Sequence, residues 1–172
     1  MIWTELKKIK AVVLDVDGVL TDASVLVNEL GEQWRAFNTK DGFILQYAVK
    51  KGIHVFVITG GKSIGVQKRL EGLGVKEVHL NISNKIEVLN QLAVKYAITL
   101  DEMMYVGDDI PDLECMSAVG LAACPSDAVD EVKRASAYVS PLAGGRGAVR
   151  DIFEKLLKTQ DKWVFDYTTK SV

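Results

Sequence analysis

Acidic residues directly follow two apolar runs of the chain, and their type and spacing suit work on a phosphate group. Asp15 and Asp17 follow the run 11–14, and a second acidic group follows the run 103–106, at Asp108, Asp109 and Asp112. Carboxylates gathered in one place repel each other, so a cation among them would restore stability. Oxygen ligands without a histidine or cysteine at ligand spacing favour a hard ion, and we predict Mg²⁺.

A hydroxyl, a glycine-rich turn and a lysine complete this set. Thr59, Gly60 and Gly61 follow the apolar run 53–58, and Lys85 opens a helical pattern. Backbone amides at the start of a helix bind phosphate, and a lysine ammonium attracts phosphoryl oxygens. We therefore predict that all four residues contact the phosphoryl group of a substrate.

These residues together predict phosphoryl transfer through an aspartyl-phosphate. In this hypothesis Asp15 attacks phosphorus, while Asp17 protonates the leaving alcohol and then deprotonates the water that hydrolyses the intermediate. Mg²⁺ and Lys85 neutralise charge as the phosphoryl group transfers. Each fragment alone is common in turns, but their joint occurrence at predicted strand and helix ends favours catalysis.

Short apolar runs alternate with longer helical patterns along the chain. Six runs are strand candidates: 11–15, 53–58, 77–80, 103–107, 119–122 and 137–140. Three stretches carry apolar residues at three- and four-residue spacing, which predicts helices: 42–51, 62–73 and 84–96. This alternation predicts an α/β fold with a doubly wound parallel sheet. Ligands bind at the carboxyl ends of such strands, where the acidic residues, Thr59 and Lys85 would converge.

One segment, 24–37, interrupts the alternation. It reads as two short strands around a turn that contains Gly31, and predicts a β-hairpin projecting from the sheet after the first strand. Nothing resembles a linker, so we expect a single domain over 1–172 without a cap domain. The tail 160–172 carries three aromatic residues that we expect to pack on this core or on a neighbouring subunit: Trp163, Phe165 and Tyr167.

Composition narrows the possible function classes. The chain has 172 residues, which favours one domain, and a net charge of −2, which argues against a nucleic-acid partner. No apolar run reaches the ~18 residues of a membrane span, and the first residues lack the pattern of a signal peptide. Two cysteines, Cys115 and Cys124, are too few for a disulfide framework. We expect a cytoplasmic protein without a membrane partner.

The motifs resemble a known family. The acidic segments 15–22 and 107–112, with Thr59 and Lys85 between them, resemble the four motifs of the haloacid dehalogenase superfamily phosphatases in order and spacing. The short chain, the hairpin in place of a cap and the segment Gly144–Arg150 resemble one subgroup, the 3-deoxy-D-manno-octulosonate 8-phosphate phosphatases. Related members act on 9-phosphates of nonulosonic acids, and the sequence leaves both substrates open.

The resemblance implies further properties. It implies a Rossmann-like fold, Mg²⁺ dependence, a role in lipopolysaccharide precursor synthesis and a cytoplasmic homotetramer in which a neighbour's hairpin covers each site. It also implies that the metal is held by Asp15, by the backbone carbonyl of Asp17 and by Asp108. Asp109 and Asp112 would then be auxiliary residues.

A sugar-acid substrate also needs a cation for its carboxylate. Arg146 could bind it with two hydrogen bonds, and Lys62 and Arg69 are alternatives that equally suit a solvated helix face. Asn38, Lys40 and Asp41 would touch sugar or a neighbour, or simply begin a helix.

Two rival classes remain open at this point. A receiver-type signalling module also combines acids, Mg²⁺, a threonine and a lysine, but it accepts phosphate on an Asp at the end of a middle strand. Here the middle strand is followed by Thr59. A catalytically idle interaction subunit is the other rival, against which the intact motifs argue.

Overall fold

Eight short strands form two sheets in the computed structural model, which describes residues 2–164. They are β1 (Ala11–Leu14), β2 (Leu26–Val27), β3 (Gln33–Trp34), β4 (His54–Ile58), β5 (Glu77–His79), β6 (Met103–Val106), β7 (Leu121–Cys124) and β8 (Tyr138–Val139). Six of these strands form a parallel sheet in the order β5-β4-β1-β6-β7-β8. The other two, β2 and β3, form an antiparallel hairpin.

Helices cover both faces of the parallel sheet. They are α1 (Ile2–Lys8), α2 (Thr39–Lys50), α3 (Ile64–Gly72), α4 (Lys85–Tyr96), α5 (Leu113–Ala118), α6 (Asp130–Ala135) and α7 (Ala148–Thr159). On one face α1, α2, α3 and α7 pack with Val12 and Leu14 of β1, and on the other α4, α5 and α6 pack with Ala11 and Val13. Both faces of β1 are thus buried, which explains its uninterrupted apolar run. The predicted α/β fold with a doubly wound sheet is confirmed.

The strand β1 lies at the centre of the sheet, between β4 and β6. Leu14, its last residue, is in register with Val57 of β4 and Val106 of β6. The chain moves outward from β1 to β4 and β5, and then returns to place β6 on the other side of β1. Ligand sites of such sheets lie at this reversal, at the carboxyl ends of the strands. The fold therefore brings Asp15, Thr59 and Asp108 to one edge.

The hairpin β2–β3 lies within the predicted segment 24–37. Its turn uses Gly31 at φ +77° and the Asn28 side chain, whose Oδ1 accepts hydrogen bonds from two backbone N–H groups of the turn. Large apolar side chains of this hairpin are exposed: Leu26 (68%), Leu30 (84%) and Trp34 (58%). Exposed apolar side chains on one short element are a common feature of interaction surfaces.

Several elements differ from the sequence-based expectation, among them helix α1 and strand β7. Helix α1 was not expected, because seven residues give too short a pattern to distinguish a helix from a loop. The strand expected at 119–122 begins two residues later, as β7. Gly120 lies so close to the chain before β6 that a Cβ on it would lie 2.1 Å from the Asp101 carbonyl oxygen. This close approach keeps Gly120 outside the strand.

Residues 162–164, which follow α7, pack on this core. The Tyr47 hydroxyl contacts the backbone of Lys162 and Val164, and the Tyr47 ring lies 5.1 Å from the Trp163 ring in an edge-on arrangement. The expected packing of Trp163 is therefore found, whereas Phe165 and Tyr167 lie outside the described residues. Among the described helices, none combines the length and the hydropathy of a membrane span.

Candidate active site

Asp15 lies one residue beyond β1, at the carboxyl edge of the sheet. Its N–H donates to the Val106 carbonyl at 3.1 Å, which extends the pairing of β1 with β6 by one residue. Its Oδ1 accepts a hydrogen bond from the Val16 N–H at 2.7 Å, and its Oδ2 lies 3.1 Å from Lys85 Nζ. Backbone and cation therefore fix both oxygens of this carboxylate.

Lys85 is the buried cation of the site. It is the first residue of α4, 8% exposed, and its Nζ lies 2.7 Å from Asp112 Oδ1 as well as near Asp15. Burial lowers the pKa of Lys85, but attraction to Asp15 and Asp112 outweighs burial and leaves the pKa above its usual value. The ammonium is therefore charged and able to neutralise a phosphoryl group.

Asp112 holds this lysine and the neighbouring backbone in place. It is fully buried, and its Oδ1 accepts hydrogen bonds from Lys85 Nζ and from the Tyr105 hydroxyl at 2.9 Å. Its Oδ2 accepts a hydrogen bond from the Asp108 N–H at 3.1 Å. Both oxygens are therefore engaged with the protein, and the auxiliary role of Asp112 stays a prediction.

Asp108 carries an unsatisfied carboxylate oxygen. Its Oδ1 is buried and has no hydrogen-bond partner within residues 2–164. Burial, followed by repulsion from Asp15 and Asp112, raises the pKa of Asp108 to about 7. Its Oδ2 lies against Gly18, where a Cβ would lie 1.9 Å away. A buried, unpaired acid oxygen of this kind needs a partner, which a bound cation supplies.

The donor set fits the expected Mg²⁺. Oxygens of Asp15 and Asp108, the two side chains expected to hold the ion, lie within 4.8 Å of one another and of an oxygen of Asp112, which is engaged with its own partners. Carboxylate oxygens are the ligands that Mg²⁺ prefers. Burial and the negative charge of Asp112, opposed by Lys85, raise the pKa of Asp15 to about 6, so the cluster is strained as a set of anions. The Asp17 side chain lies outside this cluster, and its backbone carbonyl remains a predicted ligand.

Asp109 supports the loop that carries Asp108. It is exposed, and its Oδ1 accepts a hydrogen bond from the Ile110 N–H at 2.8 Å, which caps the short 3₁₀ helix Ile110–Asp112. Asp109 therefore shapes the turn, and the auxiliary role that the resemblance implies for it stays a prediction.

Thr59, Gly60 and Gly61 form the turn after β4. Thr59 is buried, its N–H donates to the His79 carbonyl, and its Oγ1 accepts a hydrogen bond from the Gly61 N–H at 3.1 Å. Helix α3 begins at Ile64, with Ser63 as its N-cap, and not at residue 62 as expected. The turn therefore precedes the helix start, and the Gly61 amide is engaged with Thr59 in this conformation.

Asp17 forms a two-point ion pair with Arg35 at the end of the hairpin. Arg35 Nε lies 2.7 Å from Asp17 Oδ1, and Nη2 lies 3.0 Å from Oδ2. Only 6% of the Arg35 side chain is exposed. The attraction to Asp17 raises the pKa of Arg35 further, so the guanidinium is charged. This pair ties the expected proton-transfer residue to the hairpin.

The glycine-rich segment before α7, residues 144–147, contacts the start of α2. Asn38 caps α2 and also donates a hydrogen bond to the Gly145 carbonyl at 3.2 Å. Asp41 is buried and accepts hydrogen bonds from the N–H groups of Gly147 and Arg150, at 3.3 and 2.7 Å. These contacts favour the helix-start interpretation of Asn38 and Asp41 over contact with sugar.

The three cations expected near the substrate carboxylate differ in position. Arg146 is exposed and pairs with Asp22 at 2.9 Å, which gives it a partner on the loop after β1. Lys62 is exposed beside the turn after β4. Arg69 lies over the first turn of α2, where a Cβ on Gly42 would lie 2.7 Å from its Nη2. Of the three, Lys62 lies beside the turn after β4, which is expected to contact phosphate.

Two site residues were not expected from the sequence. Arg35 carried a weak signal, as a charged residue between the aromatics Trp34 and Phe37 of the hairpin. Tyr105 carried another, as the one hydroxyl in an otherwise aliphatic and thioether strand, β6. Neither signal indicates a partner, because both contacts depend on tertiary packing.

Fold and site together fit one class of protein: a phosphoric monoester hydrolase with a cluster of carboxylates at the end of the central strand of a parallel sheet. The family model of the haloacid dehalogenase-like hydrolases matches residues 77–150 of the chain. This match covers β5 to the start of α7 and includes Lys85 and Asp108.

Curated and solved relatives extend the match to nearly the whole chain. The Salmonella typhi 3-deoxy-D-manno-octulosonate 8-phosphate phosphatase KdsC is 38% identical over 161 residues, which cover 94% of this chain and 86% of that protein. A Moraxella catarrhalis phosphatase of the same name, solved with magnesium, phosphate and KDO, is 33% identical with a TM-score of 0.91 and covers 94% of this chain and 93% of its own. The cobalt-bound Haemophilus influenzae phosphatase is 33% identical, with a TM-score of 0.90 and coverage of 94% and 95%.

At this identity and coverage, the chain belongs to the 3-deoxy-D-manno-octulosonate 8-phosphate phosphatase family.

Proposed function

We propose that this chain hydrolyses 3-deoxy-D-manno-octulosonate 8-phosphate (KDO 8-phosphate) to the free sugar acid and phosphate, in a Mg²⁺-dependent reaction. The observation that carries the proposal is the likeness, at a TM-score of 0.91, to a phosphatase solved with magnesium, phosphate and KDO. The unpaired Asp108 oxygen beside Asp15 and Lys85 supports the same chemistry from this chain's own residues.

Asp15 is the proposed nucleophile. Its carboxylate lies at the carboxyl edge of the sheet, held by the Val16 amide and by Lys85. Attack on phosphorus forms an Asp15–phosphorus bond and breaks the bond to the sugar oxygen, which gives an aspartyl-phosphate. Asp15 and Asp108, with the Asp17 carbonyl, are proposed to hold Mg²⁺, which when bound supplies positive charge against the phosphoryl oxygens.

Asp17 is the proposed acid and base. It lies two residues after Asp15. Its carboxylate is part-exposed and lies outside the group of three carboxylates that could hold a metal ion. It gives a proton to the departing sugar oxygen, and then takes one from the water that attacks the aspartyl-phosphate.

Four groups are proposed to hold the transferring phosphoryl group. The Lys85 ammonium, 3.1 Å from Asp15 Oδ2, and the Thr59 hydroxyl, at the end of the neighbouring strand β4, contact it, and the amides of the turn at Gly60 and Gly61 add neutral donors. Contact of the Gly61 amide with phosphate requires that it leave Thr59 Oγ1.

The hairpin is proposed to cover the site of a neighbouring subunit in a homotetramer. Support comes from its exposed apolar residues Leu26, Leu30 and Trp34, which a water-exposed hairpin of a monomer would not need. A cytoplasmic location is part of the proposal, and the two free, buried cysteines Cys115 and Cys124 agree with it.

Phosphate release across a panel of substrates tests the reaction. The panel holds KDO 8-phosphate, a nonulosonic acid 9-phosphate and a neutral pentose 5-phosphate, each with Mg²⁺ and with EDTA. We expect the highest kcat/KM for KDO 8-phosphate, no turnover in EDTA and none for Asp15→Asn. A higher kcat/KM for the 9-phosphate would assign the nine-carbon substrate instead. Stable phosphorylation of Asp15 without turnover would indicate a receiver-like module.

Sedimentation of a hairpin variant tests the assembly. Replacing Leu26 and Leu30 by serine should convert a tetramer to smaller species, because it removes exposed apolar surface from the proposed contact. The matched control is Val94→Ser, which changes an equally exposed apolar residue on α4. A wild-type chain that sediments as a monomer would contradict the tetramer.

A further inference from the structure

A pocket of about 450 Å³ lies between the hairpin and the turn after β4. Gln33 and Arg35 line it from the hairpin side, and residues 60–63 line it from the turn. Because the turn holds the proposed phosphate donors, the pocket begins where the phosphorylated end of a substrate would lie. It is therefore placed to receive the rest of the substrate.

The charge of this pocket is positive. Arg35 and Lys62 line it, and Lys62 has no ion-pair partner within residues 2–164. No acid is among the lining residues, and Asp17, which contacts Arg35, is already neutralised by it through two hydrogen bonds. Such a lining favours an anionic substituent over a neutral one.

Arg35 retains donors for a second anion while it holds Asp17. Its Nε and Nη2 contact Asp17, and Nη2 also lies 3.5 Å from Gln33 Oε1. Its Nη1 makes no hydrogen bond with another residue of the described chain, so two N–H groups stay available. A guanidinium has five such donors in a fixed plane and can bridge two carboxylates.

Gly61 leaves room beside this guanidinium. A Cβ on Gly61 would lie 3.7 Å from Arg35 Nη2 and 3.9 Å from Asp17 Oδ2. Any longer side chain at this position would point at the ion pair. The glycine therefore keeps open the space between Arg35 and the turn.

We propose that Arg35 is a specificity-determining residue, which binds the carboxylate of the sugar-acid substrate through Nη1 while its other nitrogens hold Asp17. This inference rests on the proposed function, since it assigns the substrate's carboxylate to a residue. Arg35 takes the role that the sequence offered to Arg146, whose side chain pairs with Asp22. Arg35 follows β3 at the base of the hairpin and acts within its own subunit, whereas Leu30, in the turn between β2 and β3, is proposed to reach a neighbour.

Steady-state kinetics of Arg35→Gln test this role. The substrates are KDO 8-phosphate and a neutral pentose 5-phosphate, and the control is Arg134→Gln, which changes an exposed arginine of α6 paired with Glu131. We expect Arg35→Gln to lower kcat/KM for KDO 8-phosphate by roughly 10- to 100-fold more than for the neutral ester, the usual effect of losing a hydrogen bond between charged groups. The control should change neither value.

Product inhibition gives a second readout that does not depend on turnover of the acid substrate. With the neutral ester as substrate, inhibition by free KDO should weaken in Arg35→Gln by a similar factor, while inhibition by inorganic phosphate stays unchanged. Arg35→Lys keeps the positive charge but loses the planar guanidinium with its paired donors. Its inhibition by KDO should be weaker than that of wild type and stronger than that of Arg35→Gln. This variant also serves as the test if Arg35→Gln does not fold.

Two results would overturn the assignment. Equal losses with both esters would mean that Arg35 merely positions Asp17, and unchanged inhibition by KDO would place the carboxylate elsewhere. Failure of the proposed function looks different, because the wild-type enzyme itself would then show no preference for KDO 8-phosphate.

Discussion

Gly144 lies directly against Gly18, so that a Cβ on Gly144 would lie 1.8 Å from the Gly18 carbonyl oxygen. Gly18 in turn has φ +85° and faces Asp108. The glycine-rich segment before α7 is thus part of the support for the loop after β1. Neither position has room for a side chain. A Cβ on Gly144 would collide with the backbone of Gly18, and a Cβ on Gly18 would collide with the Asp108 carboxylate.

Gly144→Ala should impair both folding and catalysis. The methyl group would push the loop that carries Asp17 and Gly18, and overpacking of this kind costs about 1–3 kcal/mol. A loop displaced by about 1 Å can lower kcat by about 100-fold. Urea denaturation and phosphate release measure the two effects. Gly72→Ala is the control, since a Cβ there meets open space, and a variant Gly144→Ala as active as this control would contradict the prediction.

Asp17→Asn should lower kcat by about 10²- to 10⁴-fold, the usual contribution of a general acid–base. The amide can neither give a proton to the leaving oxygen nor take one from water. Phosphate release under saturating substrate measures the loss. A chemically activated aryl phosphate, whose leaving group needs no proton, should lose less. Near-normal turnover of KDO 8-phosphate would remove Asp17 from this role.

Lys85→Met should destabilise the chain as well as inactivate it. Lys85 is buried between Asp15 and Asp112, and removing one partner of a buried ion pair typically costs about 3–5 kcal/mol. Urea denaturation in EDTA measures the free energy of unfolding. Lys95→Met is the control, because Lys95 is exposed and its pair with Glu77 should contribute at most about 1 kcal/mol. Equal stabilities of the two variants would count against the buried network.

Without metal, the chain should be more stable at pH 5 than at pH 8. The carboxyl pKa values of Asp15 and Asp108 are raised from 3.8 to about 6 and about 7, first by burial. The folded state therefore binds more protons than the unfolded state, and this stabilisation, complete below about pH 4, is lost as pH rises through 6 to 7. Tm in EDTA across this range measures it, and Asp108→Asn should flatten the profile.

Added Mg²⁺ should reverse this loss. The ion binds the ionised carboxylates, so the increase in Tm should be larger at pH 8 than at pH 5. At a concentration 100 times Kd, binding adds about 2.7 kcal/mol to the free energy of unfolding. Asp108→Asn should show little increase. An equal response of this variant and the wild type would place the ion elsewhere.

Much of the site was predictable because each residue lies at the end of an element. Asp15, Thr59 and Asp108 follow apolar strands, and parallel strands bring their carboxyl ends together whatever the details of packing. Lys85 begins a helix on the same edge. The periodicity of the sequence therefore carries both the fold and this part of the site.

The remaining contacts depend on where loops lie in space. The partners Arg35 and Asp17 are 18 residues apart. The sequence pattern predicts the hairpin that carries Arg35, but it does not predict where that hairpin lies relative to Asp17. Arg146 and Asp22 are 124 residues apart, so nothing local indicates that Arg146 has a partner. The bond from Tyr105 to Asp112 spans a turn whose shape is set by Asp109.

The strand β1 lies between two hydrogen-bonded neighbours and is buried on both faces. Its amide hydrogens can meet solvent only when the whole sheet separates, so their exchange should be as slow as global unfolding permits. The proposed nucleophile, Asp15, directly follows this strand, which we expect to be among the slowest-exchanging parts of the molecule. Fraying of α1 or of the hairpin would then leave the backbone position of Asp15 unchanged.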